Sequence, residues 1–184
     1  LLALFHLFNQ GEKLSHLEVI ESVKKSSKVK NIPKVNVAAF IGTHANALSD
    51  KTPWGEIADQ LGVYEIMKED DEARIAPGKA KILKMLKQAG TSIILMDELM
   101  EYVVKSDRAE EIQNRVMGQT LAFLQELTEA VATTKTSVLV VTLPASTQIY
   151  DENAIQSLNK LQTVSGRVES VVQPVEGIEI YEVV

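Results

Sequence analysis

Two adjacent carboxylates, Asp97 and Glu98, are the residues of this chain whose types and position best suit chemistry. They follow the apolar run 93–96 directly, and an unbroken apolar run of this kind predicts a strand buried on both faces, as in a parallel sheet covered by helices. In open α/β sheets, ligands bind beyond the carboxyl ends of such strands. The sequence therefore predicts a ligand site at this pair of acids.

Two interpretations of the pair stay open at this level. The layout is similar to a Walker B segment of P-loop ATPases, in which the first acid holds Mg²⁺ and the second polarises the water that attacks the γ-phosphate. Alternatively, Asp97 caps a helix that begins near Glu98, because aspartate is a favoured N-cap residue. A metal-dependent phosphohydrolase that uses both acids directly would need further acids at neighbouring strand ends. The other apolar strands end in Gly42 and in Leu143-Pro144, which argues against that third interpretation.

The rest of the chain alternates predicted strands with predicted helices. Apolar runs predict strands over 35–42 and 137–143, and a weaker, alternating run predicts an edge strand over 167–172. Helical periodicity, bounded in several places by proline or glycine, predicts helices over 1–10, 12–22, 54–61, 77–86, 109–133 and 152–161. Strands that alternate with helices predict an α/β three-layer sandwich with a mostly parallel sheet.

Composition limits the class of protein. The 184 residues, 45% of them hydrophobic, suit one compact domain with a sizeable core. A formal net charge of −6 argues against a domain whose main task is to bind nucleic acid or an anionic membrane. The sequence contains no cysteine, which excludes disulfides and thiolate metal sites, and its three histidines have no metal-ligand spacing. No apolar stretch approaches the roughly 20 residues that span a bilayer, so we expect a cytoplasmic protein.

Two charged segments are expected to be solvated. Five lysines fall within 24–34, with no aromatic residues between them, which favours a surface loop over a nucleic-acid contact. The acidic segment 69–72 is expected to be a solvated surface or the charged start of a helix. Trp54, by contrast, is expected to anchor packing at the edge of the sheet.

Several segments together carry a resemblance to a known family. They are 1–7, 52–58, 71–74 with Pro77-Gly78, the strand that ends at Asp97-Glu98, 121–131, and 141–146. With these segments in this order, the chain resembles the AAA+-like P-loop ATPases of domain-of-unknown-function family 499. The resemblance implies a P-loop NTPase-like fold, with ATP and Mg²⁺ as ligands of the intact parent protein.

The resemblance also implies roles for four residues. Asp97 would hold the magnesium ion and Glu98 would be the catalytic carboxylate. Thr142 would be the sensor that orients the attacking water, although threonine is also simply a good strand residue. Arg167, in Gly166-Arg167-Val168, would be an arginine finger offered to a neighbouring subunit, or else a surface arginine at the start of a strand.

The chain departs from the family pattern at the phosphate-binding loop. The motif G-x-x-x-x-G-K-[ST] does not occur, and Gly78-Lys79-Ala80 lacks both its first glycine and its hydroxyl. In the family the first helix directly follows that loop, so we expect the loop and the first strand upstream of Leu1. Residues 1–175 are then an ATPase core fragment that is inactive by itself, and 176–184 begin a C-terminal lid or tail.

Two further expectations follow from the missing first strand. The 138–142 strand would have an unpaired edge, which either recruits the 167–172 strand or joins two copies as a homo-oligomer. The alternative function is a non-catalytic α/β scaffold for protein interactions. The resemblance hints at nucleic-acid-related roles, but no residue of the sequence shows one.

Overall fold

The structure, a computed structural model, describes residues 1–104 and 110–143 together with Gln156, Asn159 and Thr163. Three strands lie in the two main ranges: β1 (Asn36–Ile41), β2 (Ser92–Asp97) and β3 (Ser137–Val141). They form a parallel sheet in the order β1-β2-β3. The three strands predicted in this part of the chain are thus confirmed, and the fold is a mixed α/β arrangement around a small open sheet. The predicted helix over 152–161 falls almost wholly outside the described residues, and the predicted strand over 167–172 does so entirely.

Helices supply the rest of the described regular structure. They are α1 (Leu2–Gln10), α2 (Glu18–Ser27), α3 (Pro53–Gln60), α4 (Lys68–Ala73), α5 (Lys79–Ala89), α6 (Leu99–Val104) and α7 (Glu110–Thr133). Short 3₁₀ turns span Gly11–Leu14 and Tyr64–Ile66. Helices α1 and α7 agree to within one residue with the predictions over 1–10 and 109–133, whose apolar residues recur at helical spacing. None of the helices in the described ranges is both long and apolar enough to cross a membrane.

The predicted helix over 12–22 is wrong in its position. The chain forms the 3₁₀ turn first, and α2 then starts after an extended residue, Leu17, and runs on to Ser27. The carboxylate of Glu12 accepts hydrogen bonds from Lys24 Nζ at 2.9 Å and from the Ile32 N–H at 2.5 Å. The bond with Lys24 is the main reason that the pKa of Glu12 is lowered. Because α2 extends to Ser27, Lys24 and Lys25 of the 24–34 segment belong to a helix and not to a loop.

Helix α3 protects the outer edge of β1. Its first turn is capped by Thr52, whose hydroxyl accepts from the Gly55 N–H at 3.2 Å, and Pro53 occupies the first helical position, where its missing N–H costs nothing. At its other end the side-chain amide of Gln60 donates to the Ala39 carbonyl and accepts from the Ala39 N–H, both at 2.8 Å. One side chain thereby satisfies both backbone groups of Ala39 on an edge strand.

The core lies between the sheet and the helices that pack on it. Strand β2 is buried along almost its whole length, as predicted, whereas β3 is not: Val138 is 55% exposed. The prediction of a third buried strand is therefore wrong at Val138, although Ser137 is buried and residues 139–141 are half-buried. Trp54 is 2% exposed and its ring centroid lies 5.5 Å from that of Phe123, which confirms its role in packing.

The acidic segment 69–72 contains one residue that is not solvated. Asp71 is only 7% exposed, and its Oδ1 accepts from the Thr52 N–H at 2.7 Å and from the Thr52 hydroxyl at 2.5 Å. Its Oδ2 accepts from the Tyr64 hydroxyl at 2.8 Å, and this bond is the main reason that the pKa of Tyr64 rises to about 12. A Cβ on Gly55 would lie 2.2 Å from Asp71 Cγ, so only glycine leaves room for the carboxylate. The segment is thus the charged start of α4, one of the two expectations, and the alternative of a solvated surface is wrong at Asp71.

Candidate carboxylate site at the end of the sheet

The ends of the three strands meet at one edge of the sheet. In the parallel register Ile41 pairs with Asp97 and Met96 pairs with Val141. The ladder continues one residue further, because the Gly42 N–H donates to the Asp97 carbonyl and the Thr142 N–H to the Met96 carbonyl, both at 2.9 Å. The side chains that follow the three strands are therefore held side by side.

The carboxylate of Asp97 is fixed by two groups. Its Oδ1 accepts a hydrogen bond from the Thr142 hydroxyl and one from the Glu98 N–H at 3.0 Å. The Glu98 N–H also approaches Thr142 Oγ1, at 3.4 Å. Asp97 is half-buried, and within the described ranges no hydrogen bond reaches its Oδ2. One oxygen is thus held by the protein, and the other remains available to a ligand.

This geometry differs from that of a helix cap. Helix α6 begins at Leu99, so Glu98 and not Asp97 immediately precedes it. The carbonyl of Glu98 accepts from the Glu101 N–H at 3.0 Å, as the residue before a helix does. The hydrogen bonds of Asp97 run to its neighbour Glu98 and across the sheet to Thr142, and this favours the ligand-site interpretation.

Glu98 is exposed, and its backbone has an unusual conformation. Its φ is 51°, a left-handed value that a non-glycine residue adopts at a cost of about 1 kcal/mol. The hydroxyl of Thr43 donates to Glu98 Oε2, and so ties the carboxylate to the chain that follows β1. Next to Thr43, a Cβ on Gly42 would lie 2.0 Å from the Glu98 carbonyl oxygen. Gly42 thus leaves room for the strained backbone of Glu98, because it has no side chain.

Of the four site residues predicted from the sequence, the structure brings three together. Asp97, Glu98 and Thr142 share one hydrogen-bonded cluster, whereas Arg167 lies outside the described residues. Thr43 was missed. A signal for it existed, because a hydroxyl two residues after a buried parallel strand belongs to the same edge of the sheet as Asp97.

The donor set limits the metals that the cluster could hold. Among the described residues, no three histidine, aspartate or glutamate side chains come close enough together to hold a metal ion. A closed all-protein site such as that of structural zinc is therefore not formed in this part of the chain. A single carboxylate instead suits Mg²⁺, which keeps several of its waters and is usually bound by one or two carboxylates plus substrate phosphates.

Fold and site together define the class: an α/β domain whose open parallel sheet carries a carboxylate pair at its carboxyl edge. Within that class, the chain belongs to the DUF499 N-terminal domain family, whose sequence model matches residues 1–180. Comparison with curated proteins gave no match, and neither did comparison with solved structures.

Proposed function

We propose that this domain is the ATP-hydrolysing core of a magnesium-dependent, AAA+-like P-loop ATPase, and that its sheet is the central layer of a three-layer sandwich. One observation supports the proposal above all others. Asp97, Glu98 and Thr142 converge at the carboxyl ends of two neighbouring parallel strands. That is the part of an α/β sheet where ligands bind.

Each residue has a role that its contacts suit. Asp97 offers its Oδ2 to the water shell of the ion, because its Oδ1 is already held by Thr142 and Glu98. Glu98 is exposed, and it accepts a proton from the attacking water as general base. Thr142 keeps Asp97 in place and orients the same water. Mg²⁺, when bound, neutralises charge on the transferred phosphoryl group.

This chain should bind ATP only weakly. Its sequence holds no G-x-x-x-x-G-K-[ST] motif, whose backbone N–H groups and lysine supply most of the phosphate binding. Calorimetric titration of this chain with Mg-ATP is expected to show no low-micromolar binding. Tight binding would reveal a phosphate site of another kind and would contradict the P-loop proposal.

The chemistry is tested in a chain that carries a phosphate-binding loop before Leu1. Glu98→Gln should slow ATP turnover by about two to four orders of magnitude while ATP affinity is retained, because a water-activating base is lost. Asp97→Asn should weaken magnesium-dependent nucleotide binding, and Thr142→Val should slow turnover to a smaller degree. Glu21→Gln is the matched control, since it removes one exposed carboxylate of α2, far along the chain from the site.

The outcomes separate this proposal from a non-catalytic scaffold. If Glu98→Gln hydrolysed ATP at the parental rate, the carboxylate would not be the base. If none of the chains hydrolysed ATP, the α/β domain would be better explained as a protein-interaction module.

Arg167 completes the proposal as a residue that acts between subunits. An arginine finger supplied by a neighbour stabilises transition-state charge, so its removal lowers the rate without removing nucleotide binding. The proposal predicts that Arg167→Ala slows turnover and that added wild-type subunits partly restore it. Equal rates for Arg167→Ala and wild type would leave Arg167 as an ordinary surface residue.

A further inference from the structure

A cleft separate from the carboxylate site opens beside the first half of α7. Its volume is about 310 Å³, and its walls come from the loop after β1, the start of α3, the end of α4, α6 and α7. Neither Asp97, Glu98, Thr142 nor Thr43 is among the residues that line it. The volume is at the lower end of the range for small-molecule sites, which are mostly apolar with a few polar groups.

One buried donor at this cleft has no acceptor within the described ranges. Trp54 is 2% exposed, and its indole Nε1 has no hydrogen-bond partner. Buried polar groups are nearly always hydrogen-bonded, so this N–H indicates a partner that the described residues do not supply. Tyr102, which is 3% exposed, adds a phenol to the lining of the cleft, and burial raises its pKa to about 12.

The described residues that line the cleft include two cations and one anion. The guanidinium of Arg74 donates to the carbonyls of Ala47 at 2.7 Å and Asp50 at 2.9 Å, and it forms no ion pair with a described carboxylate. Arg115 is exposed on α7, and no described side chain pairs with it. Glu72 is the one acid among the described lining residues. Two cations against one anion favour a ligand that carries a negative charge.

The remaining walls are apolar. Ile112 and Val116 of α7 line the cleft together with Ala47 and Leu48 of the loop that follows β1. Ile112 is 36% exposed and Leu48 is 48% exposed, so apolar area is available to a ligand there. An inorganic anion would leave this surface in contact with water, whereas a hydrocarbon body would cover it.

We propose that this cleft binds a small organic carboxylate with an apolar, preferably aromatic, body. The carboxylate pairs with the guanidinium of Arg115 and accepts from the Tyr102 hydroxyl. The hydrocarbon body lies against Ile112 and Val116, beside Trp54. This inference does not depend on the proposed ATPase function, because the two sites share no residue.

The fluorescence of Trp54 can be used to measure binding at this cleft, because Trp54 is the single tryptophan of the chain. The experiment titrates the whole chain with phenylacetate, with its neutral analogue phenylacetamide, and with inorganic phosphate. Phenylacetate should change the emission of Trp54 saturably, and phenylacetamide should bind about tenfold more weakly or worse, because a neutral amide cannot form a bidentate ion pair with Arg115. Phosphate should bind more weakly than phenylacetate, because it gains nothing from the apolar walls.

Substitutions test which side chains bind phenylacetate. Arg115→Gln should weaken phenylacetate binding by about tenfold or more, and Tyr102→Phe should weaken it by a smaller factor because only one neutral donor is lost. Lys135→Gln is the matched control: it removes one exposed cation in the turn before β3, outside the cleft, and should leave the affinity unchanged. Circular dichroism confirms that each variant is folded.

Four results would overturn the proposal. The first is no saturable response to phenylacetate, and the second is equal binding of phenylacetate and phenylacetamide. The third is an equal loss of affinity in Arg115→Gln and Lys135→Gln, which would show that only the overall charge matters. Phosphate binding as tight as that of phenylacetate would equally refute the apolar part of the site.

Discussion

Gly42 and Glu98 are packed so closely that no side chain fits between them. A Cβ at position 42 would lie 2.0 Å from the Glu98 carbonyl oxygen and 3.1 Å from the Tyr102 nitrogen, which are both backbone atoms. Backbone cannot move aside as the end of a flexible side chain does. The close approach therefore couples the end of β1 to the left-handed turn that presents the Glu98 carboxylate.

Gly42→Ala should consequently destabilise the domain and displace Glu98. Overpacking of this kind costs about 1–3 kcal/mol, and contact with backbone places the variant in the upper half of that range. Urea unfolding measures the loss, and the amide resonances of residues 97–102 report the displacement. A stability within about 0.5 kcal/mol of wild type would show that the turn can relax away from Gly42.

Gly118→Ala is a control that should increase stability, whereas Gly42→Ala should decrease it. Gly118 is exposed inside α7, and a Cβ there would meet nothing within 4 Å. Alanine should stabilise the helix by about 0.5–1 kcal/mol, because glycine loses more backbone entropy on folding. A loss of stability in Gly118→Ala would contradict this expectation and show that α7 needs glycine at this position.

The buried carboxylate of Asp71 should be essential to the fold. Asp71→Ala leaves the Thr52 N–H and two hydroxyls without their acceptor, so we expect a loss of about 3 kcal/mol or more in urea unfolding. Tyr64→Phe removes one of those bonds and should cost about 1 kcal/mol. Glu72→Gln, at the exposed neighbouring position, should change stability by less than about 0.5 kcal/mol. Equal effects at Asp71 and Glu72 would contradict the proposed role of Asp71.

Much of the site could be predicted from the sequence, because it depends on regular structure. A strand buried on both faces is recognisable from Ile93 to Met96, and parallel strands place their carboxyl ends at one edge. The grouping of Asp97 and Glu98 with Thr142 follows from those two facts. Their roles in hydrolysis come from the family resemblance and remain predictions.

The features that could not be predicted depend on tertiary contacts, which no local sequence pattern encodes. Asp71 is buried against Gly55, whose missing side chain leaves room for its carboxylate, while the adjacent Glu72 of α4 is exposed. The contact between Thr43 and Glu98 depends on a left-handed residue, which the sequence Asp-Glu-Leu does not signal. The start of α2 was missed because an extended Leu17 interrupts a helical pattern that looks continuous.

Tyr102 should make stability depend on pH in the alkaline range. Burial is the main cause of its raised pKa, about 12 in the folded chain against about 10 in an unfolded one. A raised folded pKa means that the contribution to stability is complete below about pH 10 and is lost as the pH rises from about 10 to 12. The loss should amount to about 3 kcal/mol at most, and Tyr102→Phe should remove it. Urea unfolding across this range provides the test, and identical slopes for both chains would show that Tyr102 ionises as it does in water.

Thr43 should act on the proposed hydrolysis through Glu98 and not on nucleotide directly. Its hydroxyl donates to Glu98 Oε2. The substitution Thr43→Val keeps the shape of the side chain but removes this donor, so the Glu98 carboxylate is no longer held in one orientation. In a chain with a phosphate-binding loop before Leu1, we expect kcat to fall by about tenfold, because a misoriented base transfers the proton less effectively, while KM stays unchanged. Thr43→Ser keeps the hydroxyl and should retain most of the rate. If Thr43→Val and Thr43→Ser slowed turnover equally, Thr43 would matter for packing beside Gly42 and not for the position of the Glu98 carboxylate.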